Sequence, residues 1–245
     1  MHKRTSGWWS ERLQLHMPIV RYGHFGPAIL LFPTWAQDHT EAERMGLIGA
    51  ISYLLEAGRV TVFSIDSINP HAWCNDGLPV EEKARRHAAY SAYVEEEVLP
   101  YIRGELQNPA ARVLGAGASF GALFAANGLF RRPDLFFGMV GMSGVFGLDH
   151  MTHGYSDQNV YFNNPCWFVP GIEDANVLEA LRQSPIHLLT GQGQWEDPGQ
   201  TLRFSGVLRH KGIPHHLDLW GHDVPHDWPT WHRMLELTLR ERLGF

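Results

Sequence analysis

Gly117-Ala118-Ser119-Phe120-Gly121 carries the pattern G-x-S-x-G. In this pattern a serine sits at a sharp turn from strand to helix, and the two glycines let strand and helix come close together. The surroundings fit that turn. An apolar run with Val113 and Leu114 leads into it, and Ala122, Leu123, Phe124, Ala125 and Ala126 continue it as an apolar helix. A serine placed there has its hydroxyl exposed and the helix N-terminus beside it, where developing negative charge is favoured. Ser119 is therefore the candidate nucleophile. Ser143 also ends an apolar run but lacks the second glycine, and a structural role is expected for it.

A serine nucleophile needs a base and an acid, and in a strand–turn–helix setting these follow later in the chain, acid before histidine. His226 is the candidate base. It follows the loop Gly221-His222-Asp223-Val224-Pro225 and stands before a helix that Asp227 can cap and Pro229 can open. His222, four residues earlier, competes with it. The acid is sought in Gly191-Gln192-Gly193-Gln194-Trp195-Glu196-Asp197-Pro198. Asp197 before Pro198 has the form of a helix N-cap, which leaves Glu196 as the candidate acid and Asp197 as the alternative. Trp35, Trp73, Trp167 and Trp228 are candidates for pocket walls. A different chemistry, metal-assisted hydrolysis through His215, His216, His222, Asp223 and His226, would use the spacing of four between two histidines, but Val224-Pro225 between them argues against the helix it needs.

The elements that must hold these residues can be read from apolar patterning. Residues 28–32 (Ala-Ile-Leu-Leu-Phe), 59–65, 112–116, 137–142 and 186–190 are short, nearly continuous apolar runs, as expected for strands buried on both faces. Residues 216–220 give a further strand, and residues 13–22 one or two antiparallel edge strands. Helices are expected at 80–106, 120–130, 198–211 and 228–243, and another from 40 to 55, where Thr40 and Glu43 have capping-box spacing. Strands alternating with helices predict a single α/β domain over residues 1–245, with a mostly parallel central sheet covered on both faces. The irregular stretch 147–174 is long for a loop and is expected as a partial cap above the strand ends.

Composition narrows the field. Hydrophobic residues make up 44% and charged residues 19% of the 245, as in a folded domain, and the net charge of −6 gives no general attraction to nucleic acid. No apolar run is long enough to span a membrane. Residues 1–12 lack the apolar stretch of a secretory leader, so cytoplasmic residence is expected. Cys74 and Cys166 are expected as reduced thiols. No cofactor and no metal are expected.

Four segments together resemble the esterase branch of the α/β-hydrolases that holds the esterase D-type enzymes and the mycolyltransferases. They are Leu30-Leu31-Phe32-Pro33-Thr34-Trp35-Ala36-Gln37-Asp38, the Ser119 turn, the glycine-led loop at Gly191, and His226-Asp227-Trp228 with Trp231. The resemblance implies an α/β-hydrolase fold, a small-molecule ester as substrate and a covalent acyl-enzyme. By position it implies an oxyanion hole made by the backbone N–H groups of Thr34 and Phe120. The chain departs from the family in having Phe32-Pro33 where an aspartate-glycine pair is expected. It also has no carboxylate on the helix from Gln200 to His210, where the mycolyltransferases carry their acid. Ester hydrolysis is the leading expectation, with acyl transfer to an alcohol or sugar as the alternative; a metal-dependent hydrolase or a non-catalytic binding protein of the same fold comes after these.

Overall fold

The computed structural model describes residues 1–245. Eight strands form one sheet: β1 (Lys3–Ser10), β2 (Leu15–Tyr22), β3 (Ala28–Phe32), β4 (Thr61–Ile65), β5 (Val113–Ala118), β6 (Phe136–Met142), β7 (Ile186–Thr190) and β8 (His216–Leu219). Their order is β1-β2-β4-β3-β5-β6-β7-β8. β4 to β8 and β3 run parallel, while the β1–β2 hairpin joins antiparallel at the β4 edge. Every residue of β3, β4, β5 and β7 is buried, because helices cover both faces there. This is the α/β-hydrolase arrangement expected from the sequence.

The helices are α1 (Glu41–Arg44), α2 (Leu47–Ala50), α3 (Ser52–Glu56), α4 (Val80–Tyr93), α5 (Leu99–Glu105), α6 (Phe120–Arg131), α7 (Asp149–Thr152), α8 (Gln158–Tyr161), α9 (Pro165–Phe168), α10 (Ala175–Gln183), α11 (Pro198–His210) and α12 (Trp228–Leu237). α4 and α5 are joined through one π turn (Val94–Val98) and make the long helix expected over 80–106. The helix expected over 40–55 is instead three short pieces. Gly46 takes φ +84° and breaks it, Thr40 makes no side-chain cap, and Glu43 is drawn away to Lys3 and Tyr22.

The segment expected as a cap, 147–174, folds into α7, α8 and α9. Its residues Leu148, Val160, Phe168 and Val169 lie within the larger apolar core together with α4, α6 and α11. It is thereby built into that helical layer. Cys74 and Cys166 are both free thiols, and burial raises the Cys166 thiol to about 11. No helix is long and apolar enough to cross a membrane.

Candidate active site

In a parallel sheet the loops after the C-terminal ends of the strands gather at one edge, and that edge is where such folds bind ligands. Here those loops carry Trp35 (after β3), Ser119 (after β5), Ser143 (after β6), Glu196 (after β7) and His226 (after β8).

Ser119 takes φ +54° and ψ −121°, a strained conformation for a residue with a side chain. It is held by its neighbours: its N–H donates to the Met142 carbonyl (2.9 Å), and its carbonyl accepts from Val145 N–H (3.1 Å). Both glycines of the motif are needed for close approach. A Cβ on Gly117 would stand 2.4 Å from the Gly121 backbone, and one on Gly121 would stand 2.7 Å from the Phe32 carbonyl oxygen. The sequence therefore presses β5, α6 and the loop after β3 together around the serine.

Glu196 and His226 meet across two interlocked loops. The N–H of Gly193 donates to Val224 O (2.9 Å) and that of His226 to Gln194 O (2.9 Å). His226 Nδ1 lies 3.2 Å from Glu196 Oε2. A carboxylate facing Nδ1 selects the tautomer with the proton on Nδ1, which leaves Nε2 as the proton acceptor. The imidazole also stands edge-on to Trp231, with ring centres 4.9 Å apart. His222, the competing histidine, is exposed, as is Asp223.

The Glu196 side chain is 1% exposed. Its other oxygen accepts from the Ser143 hydroxyl (2.5 Å) and from Gly191 N–H (3.2 Å), and Trp231 Nε1–H donates to that same Ser143 oxygen (3.0 Å). Burial opposes the charge on Glu196. The hydrogen bonds from His226 and Ser143, the charge of His226 and the Gly191 N–H outweigh it and hold the carboxyl below its usual range. Asp197 does the other work expected of this loop: its carboxylate accepts from Gly199 N–H (3.1 Å) and caps α11.

Ser143 is more than the structural residue that the missing glycine suggested. It has φ +46°, is 6% exposed and is tied directly to the candidate acid. The only signal in the sequence was its place at the end of an apolar strand.

Two expectations need correction. The N–H of Thr34 donates to Glu41 Oε2 (2.9 Å) and the Thr34 hydroxyl to Glu41 Oε1 (2.6 Å), so the N–H assigned to the oxyanion hole is already engaged by a buried carboxylate. The N–H of Phe120, at the first position of α6, has no acceptor within the chain. Trp73 is no pocket wall: it is 4% exposed and gives its indole N–H to His87 in the core (2.9 Å). Trp167 packs on the larger core and donates to Asp149 (3.0 Å), and Trp228 packs edge-on to Trp231. Trp35 is 42% exposed, with its ring edge-on to Phe120, and Trp195, at φ +67°, is 81% exposed beside Glu196. Of the residues considered for a metal, His215 pairs with Ser205 and His216 stacks on His187, and no three His, Cys, Asp or Glu side chains converge.

No family model matches the sequence, and no curated protein matches it. Solved structures do. A ferulic acid esterase is 19% identical and superposes with a TM-score of 0.73 over 97% of this chain and 96% of its own. FphF, a fluorophosphonate-binding serine hydrolase of Staphylococcus aureus, is 14% identical with a TM-score of 0.74 over 100% and 99%. An S-formylglutathione hydrolase from Agrobacterium tumefaciens is 15% identical with a TM-score of 0.72 over 99% and 95%. The likeness runs along whole chains and establishes the α/β-hydrolase fold of this protein.

Proposed function

We propose that the protein is a serine carboxylesterase acting on small-molecule esters, with Ser119 as nucleophile, His226 as general base and Glu196 as the acid. The observation that carries this reading is the bond between His226 Nδ1 and the buried Glu196 carboxylate, on the same sheet edge as a serine in strained strand-to-helix backbone. The structural neighbours, a ferulic acid esterase and a fluorophosphonate-binding serine hydrolase among them, agree with it.

In this mechanism His226 Nε2 takes the Ser119 proton as Oγ adds to the ester carbonyl. The carbonyl π electrons move to oxygen, and the N–H of Phe120 at the start of α6 receives that oxyanion. Collapse expels the alcohol, which His226 protonates, and leaves an acyl group on Ser119. Water, deprotonated by the same imidazole, then releases the acid and restores the serine. Glu196 stabilises the imidazolium in each half-reaction and fixes its tautomer.

A fluorophosphonate probe should label Ser119, and Ser119→Ala should remove both labelling and the hydrolysis of nitrophenyl esters of varied chain length. A triad acts as a unit, so the loss should reach several decades in kcat with the fold intact by circular dichroism. Residual activity above a few per cent would exclude the serine mechanism.

A further inference from the structure

We infer that Glu41 is a positioning residue that pins the loop after β3, and that the second oxyanion donor is in consequence the backbone N–H of Trp35 and not that of Thr34. The inference rests on the serine-esterase reading above and departs from what the family resemblance implied.

The Pro33 carbonyl faces α6, since a Cβ on Gly121 would stand 2.8 Å from its oxygen. In a trans peptide the carbonyl and the following N–H point to opposite sides, so the Thr34 N–H is turned away from the Ser119 elbow. Glu41 is what it meets there: a carboxylate 5% exposed that accepts from both Thr34 N and Thr34 Oγ1. Burial raises the Glu41 carboxyl above its usual range against the pull of those two bonds, so the pair would be costly to open. The Thr34 carbonyl is used as well, by Gln37 N–H (3.2 Å). The Trp35 carbonyl is held by Ser67 Oγ (2.7 Å) and Asn69 Nδ2 (2.8 Å), both on the loop after β4. His39 N–H goes to Asp66 (2.7 Å).

On this loop the N–H groups of Trp35, Ala36 and Asp38 have no acceptor in the chain, and of the three residues Trp35 is the one packed against the start of α6. The ring of the same residue packs 5.1 Å, centre to centre, from the ring of Phe120, whose own N–H is equally without acceptor. A free N–H on the residue after the candidate nucleophile and another on a residue packed against it supply the two donors that an oxyanion requires. Glu41 does not touch the reacting atoms. It holds Thr34 so that the next peptide, and not its own, presents a proton to the site.

The test compares Trp35→Pro, which deletes the N–H, with Trp35→Ala, which keeps it and deletes the indole. Wild-type enzyme labelled at Ser119 by a fluorophosphonate is the reference. Trp35→Pro should have a kcat on the order of 10²- to 10³-fold below that of Trp35→Ala. Should the proline variant not fold, an ester linkage at position 35, installed as the hydroxy-acid analogue of tryptophan, removes the same N–H and should show the same loss. Glu41→Gln should lower kcat by about tenfold at unchanged KM, since a ground-state contact is not what it alters. Equal kcat in the variants with and without the N–H, or a gain in kcat for Glu41→Gln, would overturn the inference and return the role to Thr34. Wild-type enzyme that is not labelled at Ser119 would remove the esterase reading, and the inference with it; labelled enzyme with an active proline variant removes the inference alone.

Discussion

Glu196 and Asp197 are chemically similar neighbours, and their surroundings give them different work. Glu196 is enclosed by His226, Ser143 and Gly191, whereas Asp197 is exposed and accepts from the first turn of α11. Glu196→Gln keeps the size but removes the charge that stabilises an imidazolium, so kcat should fall by orders of magnitude with little change in Tm. Asp197→Ala should cost about 1 kcal/mol of stability and keep most activity. Ester turnover and thermal melts of both variants check this, and the reverse pattern would make Asp197 the acid. The capping role of Asp197 was legible because Asp-Pro at a helix start has a fixed geometric meaning. The engagement of Thr34 was not, because it depends on Glu41 folding back seven residues later, through a helix start whose cap differs from the one the spacing predicts. The roles of Ser143 and Trp231 escaped for the same kind of reason: their link to Glu196 joins the loops after β6 and β7 to the first turn of α12.

At the scale of elements, the strands were legible where both faces are buried and the apolar run is continuous, as in β3, β4 and β7. β1 was not, since Lys3–Ser10 is an edge strand with one buried residue and no apolar run to mark it. The elbow was legible because the close approach of β5 and α6 demands two glycines at a fixed spacing. That approach is also where element packing sets the geometry of the candidate site. Gly121 lies against the Phe32 and Pro33 carbonyls, so α6 sets the height of the loop that carries Trp35. Gly121→Ala would place a methyl group 2.7 Å from the Phe32 oxygen, and backbone on one side or the other must move. The expected result is a loss of about 1–3 kcal/mol in stability from overpacking, with a fall in kcat larger than the change in Tm accounts for, because displacement of positioning groups by about 1 Å can cost 10²-fold. Denaturant melts and ester kinetics on the same preparation measure the two effects. A variant destabilised by this amount but fully active would show that the loop's position is set elsewhere.

For the whole molecule, the two cores on either side of the sheet bury ionisable groups whose protonation is linked to folding. His87, with 0% exposure, lies in the larger core between Trp73, Phe120 and Phe124, accepts the Trp73 indole N–H, and is held neutral by burial with a pKa lowered to about 3. His187 on β7 is lowered to about 4 by burial and then by His216 stacked on it at 4.8 Å. In the unfolded chain both would titrate near 6.5. Between that pH and the folded values, the unfolded chain therefore binds more protons than the native state, and stability must fall as pH falls. Each histidine withdraws about 1.4 kcal/mol per pH unit across its window. Glu196 acts in the same direction but at lower pH: its folded carboxyl lies below its ordinary value of 4.5, so its contribution is intact above that value and is lost only as pH drops through the folded one. Melting curves should accordingly show Tm declining from pH 6.5 to 4.5, above the range where Glu196 titrates. His87→Gln keeps an acceptor for Trp73 but cannot take up a proton. Its Tm should depend less steeply on pH over this interval, whatever its absolute stability. A slope equal to that of the wild type would mean that His87 is protonated without unfolding, and that the core around Phe120 opens to water more easily than its packing implies.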